Sequence, residues 1–167
     1  VNGVWRPIIA AEAQHDNELL TSGSGTWTVP AGVYTLKVSM IGGGGAGGRN
    51  YRYSGEEGSF FFDGGSGGDG GVVLNKIVEV VPGQPFTYSI GAGSVYTSGS
   101  QTSGGTTLFG DHAATGGTCG AHATDSGNGA NGADGTPREG AFPGGTSYGK
   151  GGSAKTSGTS GAILIEY

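Results

Sequence analysis

The chain is 167 residues long, enough for one domain and at most two, and 40 of its residues are glycine. Charged residues make up 13%, the net charge is −5 and the pI is near 5.0, so no basic footprint marks a nucleic-acid partner. The single cysteine, Cys119, excludes an internal disulfide, and the apolar runs are far shorter than a membrane span, so no membrane insertion is expected.

Residues 1–23 hold little glycine, and "VWRPIIAAEAQHDNELL" reads as short helix or irregular chain, distinct from the rest. The first residue is not Met and no signal peptide is visible, which reads as a fragment or a processed product. From residue 24 onward the pattern changes. "TWTVP" and "TLKVSMIG" alternate apolar and polar residues, as half-buried strands do. "VVLNKIVEVV" (72–81) is a longer strand rich in β-branched residues, and "PGQP" (82–85) is a turn. "FTYSIG" (86–91), "TTLFG" (106–110) and "AILIEY" (162–167) complete the strands. No segment carries a long amphipathic helical pattern.

Between the strands lie runs that are almost pure glycine, such as "IGGGGAGG" and "GGSGGDGG". Glycine has the most freedom to lose on ordering, so something must hold these runs. Gly64, Gly67 and Gly70 recur every third residue, as do Gly65, Gly68 and Gly71. Gly129, Gly132 and Gly135 keep the same period, and so do Gly149, Gly152, Gly158 and Gly161 with Lys155 in the missing slot. A period of three fits polyproline II geometry, which has no internal hydrogen bonds and therefore needs partners outside the run. Glycine segments packed side by side supply them. The expected fold is mostly β with little α-helix: a small β-sandwich-like base continuous with a bundle of polyglycine II helices.

Several catalytic and ligand-binding signatures are chance products of this composition. "GTSYG" (145–149) fits a nucleophile elbow and "GNGANG" (127–132) a phosphate loop, but no helix follows either. "GGSGGDGGV" matches a calcium repeat in part, once only. Cys119 and His122 are spaced C-x-x-H, and His15 and His112 lie in unrelated segments, short of the four ligands of a zinc site. No enzyme activity, metal or cofactor is expected.

The inserts between the glycine runs carry the chemistry. "RNYRYSGEEGSFFFD" (Arg49–Asp63) is the longest and the densest in aromatic and charged groups. Such loops on a rigid scaffold commonly form binding surfaces. One or more of Phe60, Phe61 and Phe62 filling the local core is the plain alternative. If each run crosses the body once, the inserts at 49–63, 94–103, 118–126 and 150–157 gather at one end. The turns at 82–85, 111–112 and "TPRE" then lie at the other, and Arg138 and Phe142 are distal only if one run folds back.

"TWTVPAGVYTLKVSMIGGGGAGG", "VEVVPGQPFTYSIGAG", "TTLFG", "ATGG" and the final "GAILIEY" resemble, in order, the glycine-rich domain at the tips of bacteriophage tail fibres. The resemblance covers residues 24–167, which it implies are a receptor-binding tip domain, and leaves residues 1–23 as a fibre-attachment or shaft-end segment. More loosely, the chain is similar to the tip adhesin of T-even-type long tail fibres, in which variable segments between glycine-rich motifs contact the host receptor. The resemblance implies a virion protein at the fibre tip whose partners are the fibre shaft, as a monomeric cap or within a homotrimer, and a bacterial outer-membrane protein or surface glycan. The expected contact residues are Arg49, Asn50, Tyr51, Arg52, Tyr53, Glu56, Glu57 and Phe61, with Tyr96, His122, Tyr148 and Lys150. Springtail antifreeze proteins share the glycine period but use flat faces of small residues, and a pyocin-like contractile injection system would carry the same kind of domain.

Overall fold

The computed structural model describes residues 16–56, 58–98 and 100–167. It is all-β, with no helix among the described residues. The strands are β1 (Asn17–Leu20), β2 (Ser24–Thr28), β3 (Thr35–Ile41), β4 (Tyr51–Gly55), β5 (Gly58–Phe62) and β6 (Val72–Glu79). They continue with β7 (Pro85–Ser89), β8 (Tyr96–Thr97), β9 (Ser100–Gln101), β10 (Thr107–Phe109), β11 (His112–Ala114) and β12 (Ala162–Glu166). Two four-stranded antiparallel sheets, ordered β1-β12-β3-β6 and β11-β10-β7-β2, face each other across one core.

Alternation along β3 makes the first wall of that core. Leu36, Val38 and Met40 are buried, and Ile163 and Ile165 join them from β12. The second sheet contributes Trp27 and Phe109, with Phe86 stacked on Phe109 at a ring separation of 5.0 Å. A bulge interrupts the β3–β6 register between Val38 and Met40. There the buried Ser39 hydroxyl accepts the Asn75 amide at 3.0 Å, and Asn75 adopts a left-handed φ of 50°. Asparagine tolerates that conformation better than a β-branched residue would.

Residues 17–20 correct the reading of that stretch as helical or irregular. They pair with β12 from Asn17–Glu166 to Leu20–Ile163 and form the edge of the first sheet. Residues 1–15 of that segment lie outside the described residues.

At Ile41 the chain leaves β3 and enters Gly42–Gly48, and every residue of that run is buried. Its amides bond outward in strict rotation. Gly42, Gly45 and Gly48 donate to the carbonyls of Gly71, Gly68 and Gly65; Gly43 and Ala46 donate to Gly105 and Thr102; Gly44 and Gly47 donate to Thr159 and Thr156. Its carbonyls accept from Ser94, from Gly117 and Gly120, and from Gly152 and Lys155. Each neighbouring segment therefore meets the central run once every three residues. Gly65, Gly68 and Gly71 in turn donate to Ala121, Thr118 and Thr115. The backbones approach so closely that a Cβ on Gly42, Gly45 or Gly67 would collide with a carbonyl oxygen of the adjacent segment.

Lys155 does not fill a slot in one continuous run. The chain reverses there: Thr156 N bonds Ser153 O at 2.9 Å and Lys155 has φ 63°. Gly149 and Gly152 belong to the arm before this turn, Gly158 and Gly161 to the arm after it. At the sheet end, Thr136–Pro137 is cis, Arg138 bridges Val72, and Phe142 is buried with Ile41, Val72 and Ala162. Arg138 and Phe142 therefore lie beside the sheets.

Candidate functional site

Gly48 ends the buried central run, and Arg49 opens the hairpin of β4 and β5. The base of this hairpin is tied on both sides. Asn50 Oδ1 accepts the Gly64 amide at 3.0 Å, which closes the neck, and Asn128 Oδ1 accepts the Asp63 amide at 2.9 Å. His122 Nδ1 accepts the Arg49 amide at 2.9 Å, and Ala123 N donates to Arg49 O at 2.8 Å. An amide can only donate, so Nδ1 is the acceptor and the proton of the neutral ring sits on Nε2. Gln101, from the β8–β9 hairpin, donates its side-chain amide to Gly47 O at 3.3 Å and Gly120 O at 3.2 Å, and lies 3.0 Å from the same His122 nitrogen. Tyr96 N donates to Ser157 Oγ at 2.9 Å, and Lys155 N to Gly48 O at 2.9 Å. The inserts at 49–63, 96–101, 121–128 and 153–157 thus meet around the far end of one glycine run.

The register of the hairpin sorts its side chains by face. Tyr51 lies opposite Phe62 and Tyr53 opposite Phe60, and directly opposed residues share a face. These four aromatics form one side. Arg52 lies opposite Phe61, and Ser54 opposite Ser59, on the other side. Neither core cluster includes Phe60, Phe61 or Phe62. Tyr53, Phe60 and Phe61 are 51%, 56% and 58% exposed. Tyr53 and Phe60 stand in water on one face and Phe61 on the other, and exposed aromatics of this kind mark an interaction surface.

Beside the four-aromatic face is a shallow cleft of about 250 Å³, lined by Tyr51, Tyr53, Phe60 and Asp125. Asp125 was absent from the sequence-based set; it sits on the turn closed by Thr124 and Gly127, which folds over the hairpin. No ion pair among the described residues involves Arg49, Arg52, Glu56 or Asp125.

Of the residues expected to make contacts, the structure gathers Arg49, Asn50, Tyr51, Arg52, Tyr53, Glu56, Phe61, Tyr96 and His122 at this end. Asn50 and His122 serve there as structural ties. Glu57 lies outside the described residues. Tyr148 and Lys150 are elsewhere: Tyr148 packs edge-on against Phe142 and Lys150 pairs with Asp69, beside the sheets. Among the described residues, no group of His, Cys, Asp and Glu is arranged to hold a metal ion, and no helix is long and apolar enough to cross a membrane.

The family model described as glycine-rich domain matches residues 20–163. The chain belongs to this glycine-rich domain family. The match takes in β2–β11, every glycine run and all the inserts, so the aromatic hairpin is part of the family domain and not an appendage to it. Comparison with curated proteins gives no match.

Proposed function

We propose that this glycine-rich domain is the host-receptor-binding adhesin at the tip of a phage tail fibre, located on the virion and joined to the fibre shaft through its sheet end. The observation that carries this reading is the aromatic hairpin β4–β5, exposed at the end of a buried glycine run. A rigid support lowers the entropy lost when a loop binds, and Tyr and Arg are the residue types that most often dominate interface energy. The bacterial partner is an outer-membrane protein or a surface glycan. The glycine runs act as polyglycine II helices. Three observations support that: bonds that recur every third residue, partners that are always other segments, and the absence of positive φ across Gly42–Gly48 and Gly64–Gly71. The domain binds and does no chemistry; release of sugar from purified host surface polysaccharide by the protein would overturn that part.

The test is Tyr51→Ala, Arg52→Ala and Tyr53→Ala together, with cell binding and melting temperature measured on the same preparation. Loss of the anchors costs about 2 kcal/mol or more, roughly thirtyfold or more in affinity, while the melting temperature holds because all three side chains lie outside the core. Undiminished binding, or a protein that unfolds, rules the hairpin out as the contact surface.

A further inference from the structure

A second cavity, of about 360 Å³, opens beside the sheets, away from the aromatic hairpin. Asp69, Arg138, Phe142, Thr146, Tyr148 and Lys150 line it, together with glycine backbone. Phe142 is buried and holds the half-buried Tyr148 edge-on, with ring centroids 6.1 Å apart and planes at 89°. The Tyr148 hydroxyl has no partner among the described residues.

The charges around the cavity are already matched. Lys150 Nζ lies 3.5 Å from Asp69 Oδ2, and Asp69 Oδ1 accepts the Gly151 amide at 2.8 Å. Arg138 pairs with Asp134, whose other carboxylate oxygen accepts the Asp69 amide at 2.7 Å. No unpaired charge is left to select an ionic ligand. The hydrogen-bonding capacity is not used up, however. An ammonium has three donors and a guanidinium five, and each of these pairs engages a fraction of them. The Lys150 and Arg138 side chains remain 56% and 50% exposed.

An aromatic ring beside a charge-neutral cluster of donors and acceptors, in a cavity sized for a small ligand, matches one ligand chemistry well. A neutral sugar has an apolar C–H face for the ring and a rim of hydroxyls for the paired charges. We infer that this cavity binds a neutral mono- or disaccharide. The sugar face stacks on Tyr148, and its hydroxyls bond Lys150, Asp69 and Arg138. The site is separate from the tip hairpin and does not rest on the reading of that hairpin.

The experiment is an NMR titration of the isotope-labelled full chain with methyl glucoside, methyl mannoside, methyl galactoside, maltose and lactose at millimolar concentration. At least one probe is expected to shift backbone amides at 69–70 and 138–151 and leave those of β4 and β5 in place. Tyr148→Ala abolishes the shifts. Because that change also removes a neighbour of Phe142, Lys150→Ala is the second variant; it weakens binding about fivefold, the loss of one hydrogen bond, without altering the melting temperature. The triple alanine hairpin variant keeps full sugar binding, so failure of the tip reading and failure of this one are distinguishable. No shift with any probe overturns the inference, as do shifts that map elsewhere or survive both substitutions.

Discussion

The Nδ1 atom of His122 is the point at which three inserts meet, facing the Arg49 amide at 2.9 Å and the Gln101 side-chain amide at 3.0 Å. His122→Ala leaves the Arg49 amide to water, while the Gln101 amide keeps the carbonyls of Gly47 and Gly120. The expected cost is about 1 kcal/mol of stability. Amide hydrogen exchange at Arg49 should quicken while Gly45, bonded to Gly68 deep in the run, keeps its protection. Tyr167 gives the second residue-scale expectation. Burial pushes its phenol up, and the carboxylates of Asp16 and Glu18 push it further. The unfolded chain therefore loses this proton first as pH rises through about 10, so the tyrosine's contribution is complete below that pH and is lost above it. The melting temperature of the wild type should drop more steeply between pH 9 and pH 11 than that of Tyr167→Phe, where pH values bracket the phenol range of about 10. Equal slopes would mean that the phenol is not coupled to folding. At this scale the sequence was legible in part. His122 stood among the expected contacts, but nothing in its neighbours revealed that it ties Arg49, a residue far away in the chain. The partners of Asn128, Asn131 and Asp134 were hidden for the same reason. Their side-chain oxygens accept the amides of Asp63, Ser66 and Asp69 in turn. The period-three recurrence of Asx before Gly129, Gly132 and Gly135 was the available signal.

Among the elements, strands were the readable part. Alternation along "TLKVSMI" announces β3, whose Leu36, Val38 and Met40 face the core, and the β-branched content of "VVLNKIVE" announces β6. β1 was not readable: "NELL" is four residues long and takes its strand conformation from its pairing with β12, which lies at the other end of the chain. The glycine period announced that the runs need external partners, but a period cannot say where a run turns back, so the reversal at Lys155 was missed. The runs carry a sharp expectation. Gly67→Ala places a methyl against the Gly45 carbonyl, backbone against backbone, where no side chain can yield. It should destabilise the protein by about 1–3 kcal/mol, measured by denaturant unfolding. Gly25→Ala is the contrast. Its methyl would touch only the Tyr88 ring at 3.3 Å, and that ring can shift. Equal losses at both positions would argue that the packing of the runs is not what sets the cost.

For the whole molecule, sheets and runs share their chain without a linker, since Ile41 passes directly into Gly42 and Gly161 into Ala162. The runs continue out of the sheets, so opening the sheets frees the ends from which their long-range hydrogen bonds are aligned. Global unfolding should therefore be a single transition. Hydrogen exchange of Ile163 in the sheet and Gly45 in the run should report the same free energy; a run that opens well before the sheet would show two separable units.

The rotation of bonds around Gly42–Gly48 also constrains how such a chain can change its length. Segment 64–71 keeps Ser66 exposed and Asp69 half-buried, while Gly65, Gly68 and Gly71 face neighbours that leave no room for a Cβ. Deleting or inserting one residue turns every later position by a third of a revolution and drives Ser66 or Asp69 into the glycine lattice. Only triplets preserve the phase, and then only if the facing segments gain or lose the same triplet. The interior is thus locked in length as firmly as a gear train, and divergence is confined to the places where the teeth end: the turns beyond Gly48, Ser94, Ala121 and Ser153.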